Sequence, residues 1–272
     1  MDERHLRELE LLPVARLFGL ATPASSGGPA ADATPAATPA VRAAARQEEA
    51  QAIEPPAPVK PRLEAPVAAP EAVAGVETMD WGALRDAVAK CRRCRLCEQR
   101  KQAVFGVGNE SAPWLFVGEG PGADEDERGE PFVGQAGKLL DSMLAALRMA
   151  RGSEAYIANV VKCRPPGNRV PSLEEAAACS AFLDRQIDLI RPKIIVALGK
   201  TAAVRLTGSE GSLAGQRGRV HAYRGIALVV TYHPAYLLRN LPDKAKAWED
   251  LLFARRTLQA ASGPKESLAP TP

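Results

Sequence analysis

From Asp80 onward the chain alternates between short, almost wholly apolar runs and longer stretches whose apolar residues recur at helical spacing. The runs Trp114–Val117, Tyr156–Val161, Ile194–Leu198 and Ala227–Thr231 are too short for helices and predict strands. Between them, Leu139–Met149, Leu173–Ile190, Thr201–Leu206 and Ala245–Leu258 predict amphipathic helices. A further helix is predicted from Trp81, Leu84 and Val88, with Asp80 as its N-cap. Strands without a polar face need cover on both sides. The expected fold is therefore α/β, a three-layer αβα arrangement with a short, mainly parallel central sheet. It covers residues 78–260, with no internal repeat.

The first 77 residues read differently. Residues 21–77 hold ten prolines and many alanines, which block helix propagation and strand pairing and leave few bulky side chains to offset ordering entropy. They predict a disordered linker, with residues 1–20 as a short helical tip and 261–272 as a disordered tail. Met1–His5 has two acids before its first Arg, and Leu11–Leu20 is broken by Pro13 and Arg16, so no export signal is expected. No apolar run reaches the roughly 18 residues of a membrane span. Its composition fits a spacer, either with an unidentified partner at its end or with nothing there. Charge follows the same division: residues 1–77 carry a net −4 and residues 78–272 a net +7.

Five cysteines, an odd number, suit a reducing, cytoplasmic setting better than a disulfide scaffold. Three of them crowd into Cys91-Arg-Arg-Cys94-Arg-Leu-Cys97, and Cys163 and Cys179 follow. Cys179 alone, inside the apolar-rich helix Glu174–Ile190, reads as a packing residue. The triplet does not, and four thiolates can surround one zinc ion or hold one iron–sulfur cube.

Three polar spots lie among the predicted strands. Leu115-Phe-Val117 runs into Gly118-Glu-Gly-Pro-Gly122, but Pro121 removes a backbone donor and four acids follow at 124–127, which disfavours phosphate. The loop suits close backbone approach to a flat ligand instead, and Pro131-Phe132-Val-Gly134 adds an aromatic that either stacks on a ligand or closes the core. Asn159 sits within an apolar run, where its amide needs partners, from a neighbouring loop or from a ligand. His233, one of three histidines, follows the strand Ala227–Thr231, at the strand end where open α/β sheets bind ligands.

Together Gly118-Glu-Gly-Pro-Gly122, Pro131-Phe-Val-Gly134, Asn159-Val-Val-Lys-Cys-Arg-Pro-Pro166 and His233-Pro-Ala-Tyr-Leu-Leu-Arg239 resemble, in content and order, the type 4 uracil-DNA glycosylases. These form the iron–sulfur branch of their superfamily. The resemblance covers 78–260. It implies a monomeric, monofunctional glycosylase that flips uracil out of DNA and hydrolyses its N-glycosidic bond. It also implies a [4Fe–4S] cluster on Cys91, Cys94, Cys163 and Cys179, although Cys94 and Cys97 offer the same spacing as Cys91 and Cys94. By the same resemblance Phe132 stacks on uracil, Asn159 reads its O4 and N3–H edge, and His233 bonds O2. Glu119 and Gly120 also line the base site, and Leu237, Leu238 and Arg239 fill the gap in the DNA stack.

The motif that positions a water in the major uracil-DNA glycosylases has an Asp where this chain has Gly120. Glu119 and Glu125 are the alternative water-holding acids, with Glu125 preferred. Cys163-Arg-Pro-Pro-Gly-Asn-Arg169 passes directly to Val170-Pro-Ser, without the insertion of the covalent uracil-trapping branch, so hydrolytic turnover is expected. Two rivals remain: an inactive iron–sulfur module that binds uracil or single-stranded DNA, and a zinc-bound nucleotide-binding protein.

Overall fold

Strand pairing places the loops that follow four parallel strands along one edge of a single sheet. The computed structural model describes residues 75–262. The predicted helical tip, nearly all of the predicted linker and most of the predicted tail lie outside those residues; the first two tail residues, 261 and 262, end the last helix. Within them a short turn at Val76–Thr78 leads to α1 (Trp81–Lys90), α2 (Leu96–Gln99), β1 (Val107–Gly108) and β2 (Trp114–Gly118). Next come α3 (Ala123–Arg128), α4 (Gln135–Ala146), β3 (Ala155–Asn159), α5 (Leu173–Ile190) and β4 (Ile194–Leu198). The chain closes with α6 (Lys200–Thr207), α7 (Leu213–Gln216), β5 (His221–Tyr223), β6 (Ile226–Thr231), α8 (Pro234–Leu237) and α9 (Asp243–Ser262).

The sheet order is β1-β3-β2-β4-β6-β5. The four central strands are parallel, and the short edge strands β1 and β5 pair antiparallel. Alternation along each strand feeds two cores. Leu115, Val117, Tyr156, Ala158, Ile195 and Ala197 face α1, α5 and α6. Trp114, Phe116, Ile157, Ile194 and Val196 face α4 and α9. The fold is thus three layers, as the unbroken apolar strands require.

Local signals hold where the chemistry is local. The Asp80 carboxylate accepts the Ala83 N–H at 2.8 Å and caps α1. Ser172 and Glu175 form a reciprocal capping box at the start of α5. Several boundaries differ from expectation. Val76 is buried in the core, so the fold begins before residue 78. Helix α4 starts at Gln135, not at Leu139, and ends at Ala146. Strand β3 stops at Asn159, opposite the last residue of β2: the Val160 N–H still bonds the Gly118 carbonyl, and the Val161 N–H bonds that of Glu119 in the loop beyond. Asn159 therefore stands at a strand's end, not inside a strand. No described helix is long and apolar enough to cross a membrane.

Candidate active site

Gly118 and Asn159 are paired neighbours at the C-terminal ends of β2 and β3. A side chain on Gly118 would collide with Asn159 Oδ1 and lie 2.6 Å from the tip of the Phe132 ring. The bare glycine lets the amide and the ring approach each other. Asn159 is 2% exposed, and its Oδ1 has no hydrogen-bond partner among the described residues. Leaving a buried acceptor unsatisfied costs about 1–3 kcal/mol, a cost that a ligand donor would remove.

Phe132 has φ = 56°, a left-handed conformation that a bulky residue avoids at a cost of about 1–3 kcal/mol. Its loop is held from several sides. Arg151 donates to the carbonyls of Pro131 and Phe132, both at 2.7 Å. Glu125 Oε1 accepts the N–H groups of Val133 and Gly134 at 2.9 and 3.0 Å, while Oε2 accepts that of Gly122 at 3.0 Å. Gly137 lacks the Cβ that would strike the Phe132 carbonyl. With three backbone donors on its two oxygens, Glu125 is an organiser of the loop. That engagement counts against the preferred expectation that it holds a water. Glu119, the other acid considered, accepts a hydrogen bond from Thr201 and faces a cleft.

His233 follows β6 and caps α8, its Nδ1 accepting the Ala235 N–H at 3.1 Å. The ring proton therefore sits on Nε2. Burial, reinforced by the nearby Arg239 cation, pulls the imidazole down to about 4, with Glu125 opposing. Near neutral pH His233 is a neutral donor through Nε2. Gly199, at the end of β4, again makes room: a Cβ there would lie 2.9 Å from His233 Cβ. The imidazole packs on the Phe132 ring with centroids 5.5 Å apart and planes at 28°.

A cleft of about 500 Å³ opens in front of these strand ends, lined by residues that include Glu119, Gly120, Pro165, Gly199, His233 and Arg239. Its size suits a nucleotide fragment. Phe132 and Asn159 do not line this open part. Phe132 adjoins it through His233, and Asn159 lies against Gly118, the residue before the cleft-lining Glu119. On the rim, Leu238 is 41% exposed and Arg239 is exposed, but Leu237 is 1% exposed and packs into the core beside α4 and α9. Leu237 is accordingly a core residue, a correction to its expected place among the DNA-contacting side chains. Leu237 is the last residue of the one-turn helix α8 and Leu238 its C-cap, about 100° further round, so one turns inward and the other outward. Exposed Val170 and Leu241 were not singled out from sequence, and neither were Arg151, Gly199 and Thr201. Isolated Arg, Gly and Thr residues carry no local signal. Lys162 did carry one, a charge in an otherwise apolar run.

All five cysteines line one apolar pocket between α1, α2 and α5. Arg100 donates to Cys163 Sγ at 2.9 Å, and the Lys162 backbone N–H to Cys179 Sγ at 3.3 Å. Burial pushes the Cys163 thiol up to about 11 and that of Cys179 to about 12, and raises Cys94 as well. Among the described residues, no three His, Cys, Asp or Glu side chains are arranged to hold a single metal ion. The sulfurs surround a space, not a point.

Comparison with known proteins agrees with this geometry. The family model for the uracil DNA glycosylase superfamily matches residues 105–252. The type-4 uracil-DNA glycosylase of Thermotoga maritima is 47% identical over 161 residues, 58% of this chain and 83% of that protein. That of Sulfurisphaera tokodaii is 42% identical over 175 residues, 61% of this chain and 79% of its own. That of Archaeoglobus fulgidus is 45% identical over 159 residues, 56% and 79% respectively. With an amide, an aromatic ring and a neutral imidazole gathered at the strand ends of an αβα sheet, this chain belongs to the uracil DNA glycosylase superfamily, on its type-4 branch.

Proposed function

We infer that this protein is a monofunctional uracil-DNA glycosylase of DNA repair, which releases uracil from DNA by hydrolysis of the N-glycosidic bond. The observation that carries this reading is the buried, unpartnered Oδ1 of Asn159 beside the Phe132 ring. Uracil presents N3–H as a donor and O4 as an acceptor, so one amide meets both. Cytosine reverses both, with N3 as acceptor and an amino group at position 4. The mismatch leaves buried groups unsatisfied and disfavours cytosine by roughly 1–3 kcal/mol per lost pair.

The base must leave the duplex to reach these groups, at a cost of a few kcal/mol of unstacking. Exposed Leu238 and Arg239 stand where they can occupy the vacated stack, and the net +7 of residues 78–272 favours phosphate contacts. Phe132, fixed by Arg151 and Glu125, offers its ring to the base. As the glycosidic bond lengthens, negative charge grows on uracil O2, and His233 Nε2–H donates to it. That hydrogen bond strengthens in the transition state, which is what lowers the barrier. An oxocarbenium-like sugar needs little help from a base. Glu119 is the better acid to orient a water, since it lines the cleft, whereas Glu125 does not line it and already serves three backbone donors.

The cysteine pocket fits a [4Fe–4S] cluster. Its donor set is all thiol, its sulfurs ring a space, and N–H donors from Arg100 and Lys162 already point at two of them. Cys91, Cys94, Cys163 and Cys179 would hold it. When bound, the cluster ties the Cys91–Cys97 segment to the loop after β3 and to α5.

Incubation with uracil-containing single- and double-stranded oligonucleotides, followed by alkali, tests the function. Strand breaks confined to uracil positions are expected. DNA that is retarded in a gel yet intact would favour the binding-only module.

A further inference from the structure

Lys162 is 1% exposed, the lowest value for any charged side chain described. Its ammonium donates to the main-chain carbonyl of Asn159 at 3.0 Å and to Gln186 Oε1 at 2.6 Å. Gln186 is itself fully buried, and its amide donates onward to the Phe105 carbonyl at 3.0 Å. Both acceptors of the ammonium are neutral, and a cation buried among neutral groups is expensive without a counter-charge. The nearest source of one is the cysteine pocket, which Lys162 lines and to which its own N–H donates at Cys179. Four thiolates around an iron–sulfur core form an anion. At its other end the same side chain grips the residue whose amide waits unpartnered at the end of β3.

We propose that Lys162 is a positioning residue linking the cysteine pocket to the base-reading amide: its backbone N–H is fixed on Cys179 Sγ, and its buried ammonium holds the main-chain carbonyl of Asn159 in register for uracil. This rests on the glycosylase reading and on the cluster, and it makes the pocket a contributor to base recognition as well as to the fold. Asn159 then takes its position from two sides, the Gly118 pairing in the sheet and the Lys162 anchor below it.

The test is a double-mutant cycle on the cluster-loaded full chain, with Lys162→Met, Asn159→Ala and the double variant. Single-turnover excision is read in all four proteins, with iron content, the visible absorption of the cluster and affinity for free uracil read in the same preparations. Lys162→Met is expected to keep its iron while excision and uracil affinity each fall about tenfold or more. In the Asn159→Ala background the same change is expected to have almost no further effect. Equal losses in both backgrounds would reduce Lys162 to a general packing role, and unchanged uracil affinity with full iron would overturn the link outright. If Lys162→Met does not fold, Gln186→Met is measured in the same cycle. It removes one acceptor and leaves the ammonium its bond to the Asn159 carbonyl and the Lys162 N–H its bond to Cys179. A smaller loss that vanishes without Asn159 is expected, and an additive or absent loss overturns the proposal. Excision by the unaltered protein is scored in parallel, so failure of this link is separate from failure of the glycosylase reading.

Discussion

Glu125 fixes Phe132 without touching its ring: the carboxylate accepts the N–H groups of Val133 and Gly134, the two residues that follow it, and Arg151 holds the Phe132 carbonyl from the other side. An aromatic in a left-handed conformation stays there only because the backbone around it is saturated with charged partners. Glu125→Gln keeps one acceptor oxygen and so cannot serve all three donors. Excision should fall about 10–100-fold, affinity for free uracil should fall with it, and unfolding free energy should drop by about 1–3 kcal/mol. A carboxylate that only positioned water would lose rate with uracil affinity intact, so calorimetric titration with the free base separates the two roles.

Gly118→Ala adds one methyl group where Asn159 Oδ1 and the Phe132 ring already meet. The fold should survive with a loss of about 1–3 kcal/mol, as for a typical overpacked core site. Uracil excision should nevertheless fall by orders of magnitude, because the added atom occupies base-recognition space. Thermal melting together with single-turnover kinetics would show it, and near-normal excision would place the base elsewhere.

Protonation of His233 gives a pH signature with a definite sign. Its folded value, about 4, lies below the ordinary value of 6.5, so the unfolded chain binds more protons between those limits. Its contribution to stability is complete above about pH 6.5 and declines as pH falls toward 4, by at most about 3 kcal/mol. The melting-temperature gap between the native protein and His233→Gln should narrow from pH 7.5 to pH 5. Excision should stay insensitive to this group down to about pH 5 and drop near pH 4, when Nδ1 gains a proton and loses the Ala235 bond.

Adjacent leucines should behave in opposite ways. Leu237→Ala removes a fully buried side chain and should cost about 2–4 kcal/mol of stability. Leu238→Ala should leave the melt unchanged and slow excision from duplex DNA more than from single strands, since only the duplex has a stack to refill. Paired melts and rates on the two substrates check both.

Iron analysis of serine variants assigns the fifth cysteine. Cys97→Ser should retain about four irons per chain, whereas Cys91→Ser, Cys163→Ser and Cys179→Ser should lose them. The reverse pattern for Cys91 and Cys97 would make Cys94 and Cys97 the N-terminal ligand pair.

What could be read along the chain was what short-range chemistry sets. Apolar runs with no polar face gave the central parallel strands to within about two residues, and Asp80 capped its helix, because strand burial and capping depend on neighbours in sequence. The motif residues were visible as odd positions: Phe132 as an aromatic in a turn, Asn159 as a polar residue within an apolar run, and His233 after a strand. The folded chain alone decided the rest. β3 ends at Asn159, level with the end of its partner β2 at Gly118, and only beyond it does Val161 bond the loop that follows β2. Glu125 is occupied because three backbone donors close around it, and Leu237 is interior because α8 turns it toward α4 and α9. Lys162 became meaningful only when Asn159 and the cysteine pocket were found at its two ends. Hydrogen bonds between segments far apart in sequence leave no trace in local periodicity, so partnership is a property of the assembled sheet.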